Sequence, residues 1–328
     1  MDNRVDTPPD GSYLPASAPG STRRVTRLAR GAGKPSREPT ESGKTDPARG
    51  ARIDHAGGDS HGRRRAQLEE GCLSRQRESL PPRVEDLPDL PEPYTLALDR
   101  GLEALGLDLP DDARRAIGGH VRLLFAWNRA INLTAIRDPA EVATFHVVDS
   151  LAALKPIRAR GIDSFVDLGS GGGFPGIPLA VGLPARRALL VDSIAKKIAF
   201  LETVVAAMHL EGVGAIAARA ELLAAQPAHR EQWSAVLARA VGGLGELVEL
   251  AFPLLKPGGW LVAWKRGDLD QELEQGRRAA DVLGGGDLDV VDPGVASMPH
   301  HRLVMVQKMG STASRWPRSQ AARLRSPL

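Results

Sequence analysis

The fold of this chain is decided by residues 164–176, which read SFVDLGSGGGFPG. A short apolar stretch, 164–168, predicts a buried strand that runs directly into a glycine-rich loop and then a helix. Glycine lets the backbone approach a ligand closely, and the first turn of a helix offers free N–H groups. Open α/β sheets bind their ligands at the carboxyl ends of the strands. The loop therefore predicts both an α/β fold and a ligand site.

Strands and helices alternate after this loop. The predicted strands are 164–168, 187–191, 214–218, 234–238 and 259–264. The predicted helices are 176–182, 195–209, 219–225, 243–253 and 268–283. This alternation is typical of a mostly parallel sheet with helices on both faces. Segments 287–292 and 302–308 are predicted to add an antiparallel edge hairpin.

The rest of the chain divides into three parts. Helical spacing over 95–107, 111–128 and 138–151 predicts a small helical N-terminal subdomain, 91–158, ahead of a sheet domain at 159–310. Residues 1–90 hold one aromatic residue, Tyr13, and are rich in Pro, Gly, Ser and Arg, so we predict a disordered extension. Residues 311–328 contain arginines and no acids, which predicts a basic C-terminal tail.

Composition excludes several classes of protein. The 328 residues carry 43 Lys+Arg and 40 Asp+Glu, so bulk charge does not predict a nucleic-acid binder. The single cysteine, Cys72, excludes an internal disulfide framework and a cysteine-held metal site, and it fits a reducing compartment. No apolar run is long enough for a membrane helix and no signal peptide is recognisable, so we expect a cytoplasmic protein.

The loop spacing D-x-G-x-G-x-G differs from the dinucleotide fingerprint and lacks the Lys and Ser/Thr of a P-loop. Asp192 ends the second strand, where a carboxylate can accept both hydroxyls of a ribose. Glu221 and Arg239 follow the third and fourth strands and face the same cleft by topology. These residues alone leave a nicotinamide, flavin, nucleotide or S-adenosylmethionine ligand open. The acid two residues before Gly169 resembles motif I of S-adenosylmethionine methyltransferases.

Longer motifs carry a more specific resemblance. They are Asn132-Leu133-Thr134, FHVVDSL at 145–151, DLGSGGGFPGIPLA at 167–180, VDSIAKKIAFL at 191–201, ARA at 238–240 and KRG at 265–267. Together they resemble the glucose-inhibited division protein B family, the small-subunit ribosomal RNA guanine-N7 methyltransferases. The resemblance covers about 95–328. It implies a Rossmann-like class I S-adenosylmethionine methyltransferase fold, with S-adenosyl-L-methionine as cofactor.

The resemblance also implies a substrate and a set of site residues. The target is N7 of a guanine in the 530 loop of 16S rRNA (position 527 of that RNA), in free rRNA or in an assembling small ribosomal subunit, and we expect a monomer. The expected cofactor contacts are Gly169, Gly171, Gly173, Phe174, Asp192, Ala220, Glu221 and Arg239. The candidate positioning residues are Arg239, Lys265 and His146. The expected RNA contacts are Arg137, Lys196, Lys197, Arg266, Arg302, Arg315 and Arg318.

The chemistry of the target fits the residues that the chain offers. Guanine N7 already carries a free lone pair and no proton, so no general base is needed. Pyrimidine-C5 methylation needs a nucleophilic cysteine in the folded domain, and Cys72 lies in the extension. The adjacent His300 and His301 lack a nearby acid pair, so we predict no metal site. Three alternatives stay open: a small-molecule methyltransferase, a nicotinamide-dependent oxidoreductase and a noncatalytic RNA-binding assembly factor.

Overall fold

The computed structural model describes residues 80–183 and 187–328. Most of the predicted disordered extension, and Cys72 with it, lies outside the described residues. The helices are α1 Glu92–Leu105, α2 Asp111–Trp127, α3 Pro139–Val142, α4 Asp149–Leu151, α5 Leu154–Ala159, α6 Gly176–Gly182, α7 Ala195–Ala207, α8 Ala220–Ala224, α9 Leu244–Ala251, α10 Asp270–Leu283 and α11 Gln320–Arg325. The strands are β1 Ser164–Leu168, β2 Arg187–Asp192, β3 Val213–Ala217, β4 Trp233–Arg239, β5 Leu255–Arg266, β6 Gly285–Val291 and β7 His301–Lys308.

The strands form one sheet in the order β3-β2-β1-β4-β5-β7-β6. The first five are parallel neighbours, and β7 runs antiparallel to both β5 and β6. This order confirms the predicted Rossmann-like α/β fold with an antiparallel edge. It places the carboxyl ends of β1, β2 and β4 side by side, where the predicted site residues lie.

The two antiparallel strands are not equivalent. β7 lies inside the sheet between β5 and β6, whereas β6 forms the edge. Four consecutive residues of β7 from Leu303 are buried, whereas no residue of β6 is fully buried. The apolar strand β7 is stabilised more by burial of both its faces, whereas the partly polar strand β6 is better tolerated at the edge of the sheet.

The N-terminal helices are not a separate body. Residues of α1 and α2 share one hydrophobic cluster with β1, β2 and α7. A π-helical turn, Ala143–Val148, joins α3 to α4 and places its side chains against the same core. The predicted subdomain 91–158 is therefore a layer on the sheet.

Both predicted boundaries of the folded part need correction. Leu80, Val84 and Leu87 pack against the core, and the indole N–H of Trp127 donates to the carbonyl of Pro81 at 2.9 Å. The folded chain thus includes residues 80–90. At the other end, the predicted basic tail 311–328 is packed against the domain. Trp316 is buried in a second hydrophobic cluster, which includes residues of β4, β5, α9 and α10.

Among the residues described here, no helix combines the length and the apolar character needed to cross a membrane.

Candidate functional site

The glycine loop is fixed between β1 and β2. Gly169, Gly171 and Gly173 have φ of +74°, +55° and +89°, a backbone conformation that side chains strain. The Ser170 hydroxyl accepts from the amide of Val191 in β2 at 3.0 Å. The amide of Gly169 donates to the carbonyl of the same valine at 2.8 Å. The loop therefore presents its backbone at the carboxyl end of β1, beside the end of β2.

Asp192 joins this loop directly. One carboxylate oxygen accepts from the amide of Gly171 at 3.1 Å, and the other accepts from the amide of Ile194 at 2.9 Å. Lys197 approaches the same carboxylate at 3.4 Å. A carboxylate offers about four lone-pair positions, so these three contacts leave about one position for a ribose hydroxyl. Lys197, expected to contact RNA, lies against the carboxylate of Asp192.

Asp167 is a fully buried acid beneath the loop. Its Oδ2 accepts from the amide of Gly176, at the start of α6, at 3.0 Å. Burial raises the pKa of Asp167 to about 7, even though this hydrogen bond favours the charged form. Its Oδ1 has no hydrogen-bond partner among the described residues. The loop motif includes this residue, but its burial depends on packing that the motif does not show.

Phe174 lies between two imidazole rings. The ring of His146 stacks on it with a centroid distance of 4.8 Å, and that of His120 approaches to 4.6 Å. The guanidinium of Arg239 lies 5.5 Å from the Phe174 centroid. The structure thus brings together three predicted residues, Phe174, His146 and Arg239, with a histidine that was not predicted.

Hydrogen bonds assign the tautomers of both histidines. His120 Nε2 lies 2.7 Å from the carbonyl of Gly172, which can only accept, so this nitrogen carries the proton. His146 Nδ1 faces the donor Arg239 at 3.3 Å, so its proton lies on Nε2, 2.6 Å from the Thr134 hydroxyl. Burial lowers the pKa of each histidine to about 4. Both rings are neutral near pH 7, and His146 is therefore no cation for RNA.

Arg239 is oriented by a buried carboxylate. Its Nη1 donates to Asp149 Oδ2 at 3.1 Å and to the carbonyl of Phe145 at 3.0 Å. The other oxygen of Asp149 accepts from His301 Nδ1 at 2.9 Å. The Asp149 carbonyl accepts from the indole of Trp264 at 2.7 Å. Asp149 therefore ties the ends of β4 and β5 and the start of β7 to the helical layer.

Lys265 does not reach the cleft as a free cation. Its ammonium group donates to Glu272 in α10 and, at 2.6 Å, to the carbonyl of Gly242. The same glutamate accepts from the amide of Leu244 at 2.8 Å. Lys265 is thus engaged in fixing α10 to the start of α9, because the ion pair satisfies a charge that is largely buried. That Lys265 positions the substrate stays a prediction, made for a cation that is already paired.

Ala220 and Glu221 begin α8, at the carboxyl end of β3. Glu221 Oε1 accepts from Arg323 of α11 at 2.5 Å. Burial raises the pKa of Glu221 most strongly, but the hydrogen bond from Arg323 and the charges of Arg323 and Arg219 together outweigh burial and hold the pKa below its usual value. Arg219 donates to Gln320 at 2.8 Å. The C-terminal helix therefore holds the edge of the predicted cofactor site.

The predicted RNA contacts separate into two groups. Arg302 pairs with Asp292 at 3.1 Å, and Arg318 pairs with the buried Glu249 at 2.6 Å. Within 80–183 and 187–328, four members are exposed and form no ion pair: Arg137, Lys196, Arg266 and Arg315. These four keep their charge available for an anionic partner.

Two residues of the site escaped sequence reasoning. His120 occupies the buried face of α2 with Ile117, Val121 and Leu124, where a lone polar residue marks a functional or hydrogen-bonded position. Asp149 was quoted only as a motif letter. No group of three or more His, Cys, Asp or Glu in the described part of the chain could hold a metal ion.

Comparison with known proteins identifies the family. The profile of the GidB family, rRNA small subunit methyltransferase G, matches residues 114–297. A ribosomal RNA small subunit methyltransferase G of Desulfitobacterium hafniense is 37% identical over 241 residues, covering 73% of this chain and 99% of the relative. The protein of the same name from Rubrobacter xylanophilus is 39% identical over 238 residues, covering 71% and 90%.

Among solved structures, an O-methyltransferase from Bacillus cereus in complex with SAH is 14% identical, covers 65% of this chain and 97% of that one, and superimposes with a TM-score of 0.42. That overlap is too loose to transfer a function. The sequence relatives, in contrast, match over nearly their whole length, and the family profile includes the glycine loop, Asp192 and Arg239. The chain belongs to the GidB family, rRNA small subunit methyltransferase G.

Proposed function

We propose that this chain transfers the methyl group of S-adenosyl-L-methionine to N7 of a guanine in the 530 loop of 16S rRNA, at position 527. The single observation that carries the proposal is the match to the family profile over residues 114–297. The matched region contains the candidate site, in which Asp192 accepts from the amide of Gly171 in the glycine loop and Arg239 lies beside Phe174. The substrate is free rRNA or the assembling small subunit, and the chain acts as a cytoplasmic monomer.

The residues present fit the cofactor of the family, S-adenosyl-L-methionine. A Cβ on Gly171 would meet nothing closer than the Gly169 carbonyl at 3.7 Å, so the missing side chain leaves space on this loop. Asp192 keeps about one acceptor position for a ribose hydroxyl beside that space. No P-loop lysine is present to neutralise a pyrophosphate, which suits a ligand without one. When bound, the cofactor supplies an electrophilic methyl group on a sulfonium.

The chain itself has only to bind and orient the two reactants. The guanine N7 lone pair attacks without losing a proton, so the reaction asks for no general base. His120 and His146 agree with this, because His120 is fully buried and the basic nitrogen of His146 faces the guanidinium of Arg239. Arg239, fixed by Asp149 and Phe145, is the charged group best placed to hold the guanine or its phosphate.

Mass mapping of 16S rRNA tests the proposal. RNA is isolated from cells with the protein, from cells without it, and from cells that carry only the Asp192→Ala variant. We expect one N7-methylguanine, in the 530 loop, in the first sample alone. If the same guanine is methylated in all three samples, the assignment is wrong.

A further inference from the structure

A pocket of about 490 Å³ lies at the carboxyl end of β5, and none of its lining residues belongs to the glycine loop. It is formed by the end of β5 and by the loop before β7. Its lining includes Arg266, Met298, Pro299, His300 and His301. The amide of Gly267 donates to the carbonyl of His300 at 3.1 Å, which fixes the two loops to each other. The pocket thus lies between two loops that are hydrogen-bonded to each other.

The lining of this pocket suits an anionic ligand with a flat ring. No Asp or Glu contributes to it, and Arg266 is exposed and forms no ion pair in the described part of the chain. The neighbouring cations Lys265 and Arg302 are already paired with acids. The buried Met298 offers an apolar wall, and two imidazoles offer planar faces for stacking. A ligand with a phosphate for Arg266 and a flat base for the imidazoles is a nucleotide.

One wall of the pocket is coupled to the cleft. His301 shares the carboxylate of Asp149 with Arg239, at 2.9 Å and 3.1 Å respectively. The pocket opens at the end of β5, which lies two strands, or about 10 Å, sideways from β1 and three residues, or about 10 Å, further along the strand direction than Leu168. A target guanine that reaches the glycine loop therefore leaves this pocket for an adjoining nucleotide.

We propose that this pocket binds a nucleotide of the RNA next to the target guanine, with its phosphate on Arg266 and its base against His300 and Met298. The inference rests on the proposed function, because it takes RNA as the substrate. It adds a second recognition point, separate from the cofactor site, that holds the RNA in register.

Two exposed residues allow a test with little risk to folding. Arg266→Gln and His300→Ala are compared with Arg278→Gln, an equivalent charge loss on an exposed arginine of α10. Each pocket variant is expected to raise KM for 16S rRNA about tenfold, the effect of losing one stacked base or phosphate contact. The kcat and the Kd for S-adenosylhomocysteine stay within twofold, and Arg278→Gln matches the wild type.

A binding measurement separates this inference from the proposed function. A fluorescent RNA fragment that carries the 530 loop is titrated with each protein, and weaker binding by both pocket variants supports the pocket even if no methyl transfer is seen. If the wild type methylates the RNA while both variants keep wild-type KM and Kd for the fragment, the pocket is not an RNA site. Equal weakening by Arg278→Gln would also overturn it.

Discussion

Replacing Asp149 by asparagine probes the residue on which the orientation of Arg239 depends. The Asp149 side chain is 5% exposed and its partner Arg239 is 16% exposed, so the pair is largely shielded from water. The carboxylate accepts from two donors, Arg239 and His301. Asparagine has one acceptor oxygen, so its amide group must face one of these donors. The substitution therefore breaks one charge-assisted hydrogen bond and leaves a guanidinium without its counter-charge.

The cost follows from this count. Removing one partner of a buried ion pair costs about 3–5 kcal/mol. Arg239 keeps the carbonyl of Phe145 and the imidazole of His146, which favours the lower end. We expect the free energy of unfolding to fall by about 3 kcal/mol. The matched control is Asp289→Asn, which breaks the more exposed ion pair with Arg160 and should cost less than about 1 kcal/mol.

Urea unfolding and two functional readouts check this prediction. Asp149→Asn should lower kcat at least about tenfold, because Arg239 loses its fixed direction. The Kd for S-adenosylhomocysteine should change much less than kcat, because Asp149 makes no hydrogen bond to the glycine loop and acts on the site through Arg239. The reasoning is refuted if Asp149→Asn and Asp289→Asn cost the same stability, or if cofactor affinity falls in step with kcat.

Further predictions concern the cofactor side and the histidines. Asp192→Ala removes a charged acceptor and should raise the Kd for S-adenosylhomocysteine at least about tenfold in calorimetry. Arg323→Gln frees Glu221 at the start of α8 and should raise the same Kd about fivefold, with little change in KM for RNA. His146→Asn should lower kcat by less than about tenfold, since losing a general base would cost about 10²–10⁴. The free energy of unfolding of the wild type should fall as pH drops from about 6.5 to about 4, by up to about 3 kcal/mol for each of His120 and His146. The free energy of unfolding of His146→Asn should depend less steeply on pH over the same range.

Each of these has a result that contradicts it. Stability is expected to fall, and not to rise, as the pH drops. Below about pH 6.5 His120 and His146 bind protons in the unfolded chain but not in the folded chain, so acid favours the unfolded state. A slope that is unchanged in His146→Asn would show that this ring is not neutral in the folded state. A thousandfold loss of kcat in the same variant would indicate a catalytic proton transfer. Unaltered cofactor affinity in Arg323→Gln would confine the C-terminal helix to a structural role.

The sheet could be predicted from the sequence because its information is local. The central parallel strands β1, β2 and β4 are short apolar runs that are mostly buried and bounded by a loop or a helix, as in Val166 and Leu168 of β1. The glycine loop likewise depends on residue types that are adjacent in the chain. Asp192 could be placed because the end of β2 must lie beside the end of β1 in a parallel sheet.

The fate of the charged residues could not be predicted, because their partners are distant in sequence. Arg318 finds Glu249 and Arg323 finds Glu221, across 69 and 102 residues respectively. The C-terminal segment 311–328 therefore has the composition of a free basic tail, but in the structure it packs against the rest of the domain. Lys265 has its partner only seven residues away, yet helix α10 has to fold back before Glu272 reaches it. The packing of residues 80–90 could not be predicted for a related reason. Their few leucines contribute to the core only through contacts with distant residues such as those of α2.

The most direct test of the account is methyl transfer by the purified protein from labelled S-adenosyl-L-methionine to 16S rRNA, followed by chemical cleavage at N7-methylguanine. The account predicts one cleavage site, in the 530 loop, that appears with the wild type and disappears with Asp192→Ala. Label incorporated at any other atom or nucleotide, or no incorporation into free rRNA and small subunits alike, would contradict it.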